Sequence, residues 1–62
     1  RRILSDLFAA FIADPRLLPT QYQELADAEG VARAVADYIA GMTDRYAIRE
    51  HERMFDLYWD LR

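Results

Sequence analysis

The chain has 62 residues, a formal net charge of −3 and no cysteine, so no disulfide and no cysteine-held metal can staple it. It has no basic stripe to neutralise phosphates and no apolar run near the ~20 residues of a membrane span, which argues against nucleic-acid and membrane partners. Yet 53% of its residues are apolar, including three Phe, four Tyr and one Trp. Chains this short bury only about 60% of their unfolded surface, and ordering one costs on the order of 90 kcal/mol. The apolar excess therefore predicts that something else covers part of this surface. Arg1-Arg2-Ile3 opens inside a helical pattern with neither an initiator Met nor a capping residue, so the expectation is a fragment of a longer protein.

Residues 1–13 read as the first helix. Ile3, Leu4, Leu7, Phe8, Phe11 and Ile12 come in pairs every four residues and sweep about half the helix surface. The other side carries Ser5, Ala9, Ala10 and Ala13, small enough to admit a second helix, so both sides are open to being covered. Asp14-Pro15 ends it, because proline disfavours a helical residue before it. Pro15 to Pro19 is a connector whose Leu17 and Leu18 plug an edge of the core. Thr20 and Gln23 stand at capping-box spacing and predict a short helix over 20–28. Gly30 suits its left-handed end.

Residues 31–47 read as one central helix. Val31, Val35, Tyr38, Ile39, Met42 and Tyr46 fall within about 120° of one another, with Arg33, Asp37 and Asp44 opposite. Arg33 and Asp37, four apart, can pair. Gly41 in mid-helix should cost about 1 kcal/mol relative to alanine. With Ala34 one heptad earlier it suggests a smooth lane where another helix packs closely. Residues 48–61 form the last helix, after a bend near Ala47. Its apolar stripe is Ile48, Phe55, Tyr58 and Trp59, widened by Met54, Leu57 and Leu61. The fold class is thus all-α: a small antiparallel bundle of three main helices plus one short one, since short loops join neighbours that run antiparallel.

Chemistry-bearing patterns are sparse. His51-Glu52 lacks the second histidine of a zinc-protease motif, because Phe55 stands there. One histidine without a ligand set is weak evidence for metal, and it reads as a packed side chain. Asp37 and Asp44 would project about 10 Å apart on one helix, too far to share a proton or chelate one ion. Tyr38, Tyr46, Tyr58 and Trp59 could stack a base, but at helical spacing they read as core. There is no glycine-rich phosphate loop and no nucleophile elbow.

The run Asp37 to Ala47, DYIAGMTDRYA, is more specific. It resembles the C-terminal helix of the bacterial deoxyguanosine-triphosphate triphosphohydrolases, which are HD-domain nucleotide hydrolases, and the match is clearest over residues 31–55. The resemblance implies a cytoplasmic parent enzyme that cleaves dNTPs, dGTP among them, to deoxynucleoside and triphosphate. Its centre would be a histidine, a His-Asp pair and a further aspartate around a divalent metal, Mg²⁺ or Mn²⁺. No histidine here is followed by aspartate, so no catalytic or metal residue carries over, and this piece would be inert alone. The implied partners are the rest of the parent chain and further copies in a homo-oligomer, with the dNTP binding only to the parent. The motif residues Asp37, Tyr38, Asp44, Arg45 and Tyr46 are the candidates for a place near the parent's nucleotide pocket. The alternative is a self-standing helical interaction module that docks a partner through its aromatic C-terminal helix.

Overall fold

The computed structural model describes the backbone of residues 2–60 and the side chains of residues 2–55. Among them are four α-helices and one 3-10 turn, with no helix long and apolar enough to cross a membrane. Helix α1, Ile3–Ala13, buries Leu7 and Phe11 completely. It stops before Asp14-Pro15, as the sequence predicts. The Asp14 carboxylate then accepts from the Arg16 backbone N–H at 3.2 Å and from Arg16 Nε at 2.9 Å, starting the 3-10 turn Pro15–Leu17. The Arg16 guanidinium holds that carboxyl below its usual range. Leu18 is buried and Leu17 packs against the core, the plug expected of them.

Helix α2 spans Thr20–Glu29. The expected capping box does not form, because Thr20 is already helical and Pro19 takes the cap position without a side-chain bond. Gln23 instead turns back, its Nε2 donating to the Leu18 carbonyl at 2.7 Å and the Arg16 carbonyl at 3.1 Å. Both acceptors lie in the connector between α1 and α2. Gly30 joins α2 to α3, Val31–Ala40, at φ +100° and ψ 151°. Its φ is positive, as anticipated, but its ψ is extended rather than left-handed helical. This is a region essentially restricted to glycine.

The single helix expected over 31–47 is two. Helix α3 ends at Ala40, and α4 runs Asp44–Asp60. Gly41 N–H donates to the Tyr38 carbonyl at 3.3 Å and Met42 N–H to the Ile39 carbonyl at 3.1 Å, the tightened bonds of a helix end. Gly41 is therefore a terminal residue rather than a mid-helix notch. The only atoms near a side chain built there are the Tyr38 and Asp37 carbonyls at 3.7 and 3.8 Å, so among the described residues no helix crosses it.

The core is Leu7, Phe11, Leu18, Ala34, Val35, Tyr38, Ala47 and Met54. Helix α3 packs on α2 and α1, and α1 also packs on α4. On α4 the buried line is Ala47, Glu50, His51 and Met54, while Ile48, expected in the stripe, is exposed. Two polar residues on the inner face shift the apparent phase of the apolar pattern. Leu57, Tyr58, Trp59 and Leu61, also expected in that stripe, lie outside the described side chains.

Candidate functional site

Tyr38 stands where all four helices meet. Its ring lies edge-on to Phe11 of α1, with centroids 5.4 Å apart and planes at 79°. Tyr22 of α2 tilts against it at 4.9 Å, and Tyr46 of α4 meets it at 6.3 Å and 88°. Only 8% of Tyr38 is exposed. Its hydroxyl is 2.8 Å from the Tyr46 hydroxyl and 3.1 Å from Glu50 Oε2. The ionised carboxylate of Glu50 can only accept. Tyr38 therefore donates its one proton to Glu50, and Tyr46 donates to Tyr38.

Glu50 is buried and held from the other side by Arg53, whose Nε and terminal nitrogen donate at 2.8 and 3.0 Å. The Arg53 bond holds the Glu50 carboxyl below its ordinary value, and Glu50 in turn raises the Arg53 guanidinium. Burial, then the bond with Tyr46 and the charge of Glu50, push the Tyr38 hydroxyl far above the usual tyrosine range. A chain of bonds thus runs Tyr46, Tyr38, Glu50, Arg53, from half-exposed to buried and out again. Beside it lies a cleft of about 160 Å³ lined by Tyr22, Tyr38, Gly41, Met42, Thr43 and Tyr46.

Thr43 caps α4. Its Oγ1 accepts from the Tyr46 N–H at 3.1 Å, and its carbonyl from the Ala47 N–H at 2.9 Å. That makes Asp44 the first helical residue, where its charge suits the positive end of the helix dipole.

The five candidate residues do not form one cluster. Tyr38 and Tyr46 touch. Asp37 is exposed on α3 and pairs with Arg33 at 3.2 Å, the pair anticipated from their spacing. Asp44 and Arg45 are exposed on α4, so Asp37 and Asp44 do not share a helix. Sequence reasoning missed Glu50, Arg53 and the Thr43 cap. Thr-Asp ahead of an apolar-periodic run is a helix-start signal that pointed to the last of these.

His51 is buried, its ring 4.4 Å from Phe55 and its Nε2 2.9 Å from Asp6 Oδ2, which ties α4 to α1. That nitrogen is occupied, and among the described residues no three His, Asp or Glu side chains converge to hold a metal. The described residues do not fit the divalent ion that the resemblance implies for the parent.

The cluster ties Tyr38 of α3 to Tyr46, Glu50 and Arg53 of α4. A family model described as the phosphohydrolase-associated domain matches residues 1–53. The chain belongs to that family. Similar proteins are named deoxyguanosinetriphosphate triphosphohydrolase-like protein. One from an Azoarcus species is 69% identical over 55 residues, covering 89% of this chain and 14% of its own length. One from Bordetella pertussis is 58% identical over 57 residues, with 92% and 15% covered. One from Brucella ovis is 52% identical over 63 aligned positions, with 97% and 16% covered. The chain thus spans about one-seventh of the length of the relatives it matches. No solved structure matches it. The dGTP triphosphohydrolase-like relatives carry this domain as a small part of a larger protein.

Proposed function

We propose that this phosphohydrolase-associated domain is the C-terminal helical portion of a metal-dependent dNTP triphosphohydrolase, with dGTP among its substrates. It serves as scaffold and contributes no catalytic group. The observation that carries the scaffold role is the Tyr38 cluster, in which Tyr38 and Tyr46 spend their hydroxyls on Glu50 at the meeting point of the helices. The names and high identity of the relatives support the class of parent. Its chemistry would come from a divalent ion that polarises a phosphoryl oxygen and activates water, held outside this chain. Of the five candidate residues Asp37, Asp44, Arg45 and Tyr46 are exposed, so they rather than Tyr38 are the ones able to approach the parent's nucleotide pocket. An oligomeric parent belongs to the same reading.

The test is triphosphate release from dGTP with Mg²⁺ or Mn²⁺. The expected result is turnover by the full-length protein and none by the 62-residue chain. Metal-dependent turnover by highly purified chain, or a full-length protein without a His-Asp pair and without dNTP hydrolysis, overturns the proposal.

A further inference from the structure

Helix α1 is apolar around most of its circumference. Leu7 and Phe11 face the core, but Leu4, Phe8 and Ile12 run along the outside at 54, 40 and 40% exposure. The rest of the outer face is Ser5, Ala9 and Ala13, exposed and uncharged. The helix's one charged side chain, Asp6, is engaged by His51. A groove of about 260 Å³ flanks the Leu4 edge, with Asp44, Ala47 and Ile48 of α4 as its far wall. A second, of about 420 Å³, runs between Ala9, Ala10 and Ala13 and the ring of Phe55. A helix with so wide an apolar surface is ordinarily covered on more than one side, and this one is covered on one.

We propose that the outer face of α1, with Ile48 beside it, is the surface on which the remainder of the same, longer polypeptide packs. This rests on the reading of the chain as one part of a larger protein, and two observations choose the occupant. The relatives devote only 14–16% of their length to this unit, so most of their polypeptide is available to cover it. The face is also small. At their partial exposures, Leu4, Phe8, Ile12 and Ile48 show on the order of 300 Å² of apolar surface, the size of an ordinary patch on a monomer. A standard interface between separate chains takes about 800 Å² from each partner, about 450 Å² of it apolar. A tethered segment needs less, because the loss of translational and rotational freedom is already met by the covalent chain.

The experiment uses the full-length protein with a benzoylphenylalanine in place of Phe8 and, separately, of Ile12, with exposed Glu52 as the control position. The expected product after illumination keeps the mass of one chain on a denaturing gel and joins α1 to a peptide outside these 62 residues. A doubled mass identifies a second copy as the occupant. A link to another protein, or labelling no stronger than at Glu52, leaves the face without the proposed cover. Each of these overturns the proposal. Hydroxyl-radical footprinting of the unaltered protein gives the same answer without a substitution that could fail to fold. Phe8 should be protected on the order of tenfold relative to the unfolded chain, and protection of only two- to threefold, as its exposure here predicts, refutes the idea. Neither readout depends on dGTP turnover. A full-length protein that covers Phe8 but hydrolyses no dNTP refutes the functional reading alone, and an active one with Phe8 bare refutes this one alone.

Discussion

Replacing Tyr38 with phenylalanine tests whether the tyrosine cluster holds the helices together. The change removes one oxygen and leaves the ring contacts with Phe11 and Tyr22 intact. Two bonds disappear, one from Tyr46 and one to the buried carboxylate of Glu50. A hydrogen bond to a charged group contributes about 1.5–3 kcal/mol and a neutral one about 1. The losses do not simply add. Tyr46 is half-exposed and can turn to water, and Glu50 keeps both bonds from Arg53. The net cost is therefore about 2 kcal/mol. A domain of this length has roughly 3–9 kcal/mol of stability in all, so the variant should still fold. Each kcal/mol moves the midpoint by about 4–8 °C at this size, giving a drop of about 8–16 °C in helical circular dichroism melts. Tyr46→Phe should lower the wild-type midpoint modestly and the Tyr38→Phe midpoint not at all, because its partner is already gone. A Tyr38→Phe midpoint unchanged to within a degree or two, or additive effects of the two substitutions, would show that these hydroxyls do not couple the helices.

Stability should also follow the titration of the same cluster. The folded state holds Glu50 below its ordinary value of 4.5, so its contribution is complete above that pH and is lost as the pH falls through the folded-state value; Glu50→Gln should flatten this acid limb of a urea-denaturation series. Tyr38 is shifted the other way, so its contribution is complete below its ordinary 10.0 and declines as the pH climbs beyond it, a slope that Tyr38→Phe should reduce. Thr43→Ala removes the cap of α4 and should cost about 1 kcal/mol in the same assay, with Thr43→Ser restoring most of it. Gly30→Ala should cost about 1–3 kcal/mol because φ there is +100°. Gly41→Ala, in ordinary backbone with no tight neighbour, should be neutral or stabilise by about 0.4–1 kcal/mol.

Where spacing within one helix decides the outcome, the sequence was readable. The paired apolar residues of α1, the stop at Asp14-Pro15, the Leu18 plug and the Arg33–Asp37 pair all follow from local periodicity and proline chemistry. The break at residues 41–43 was hidden because Val35, Tyr38, Ile39, Met42 and Tyr46 keep helical phase straight through it. Periodicity reports which side of a helix is apolar and is silent about whether the axis continues. The bonds from Tyr38 to Glu50 and from Asp6 to His51 join residues 12 and 45 positions apart, and no local pattern encodes a pair that only the turn brings together. Glu50 escaped notice in a further way, since a buried carboxylate looks like a solvent-facing one until its partners are known, whereas the histidine without a ligand set reads as the packed side chain it is.

The break explains why this motif combines aromatic residues with a glycine and a threonine. On one straight helix, Tyr38 and Tyr46 would stand about 12 Å apart along the axis, and Glu50 about 6 Å further still. Helical rotamers tilt both rings the same way, toward the N-terminus, so the two hydroxyls would stay well beyond the 2.8 Å seen here. Ending α3 at Gly41 and restarting at the Thr43 cap lets α4 change direction and return its first turns toward Tyr38. The carboxylate can then be buried, because the turn delivers it to a tyrosine donor on one side while Arg53 holds it on the other. Unpaired, the same carboxylate would be costly to bury. Closure and burial are thus coupled: the turn that returns Tyr46 and Glu50 to Tyr38 also supplies the donors that let the carboxylate leave water.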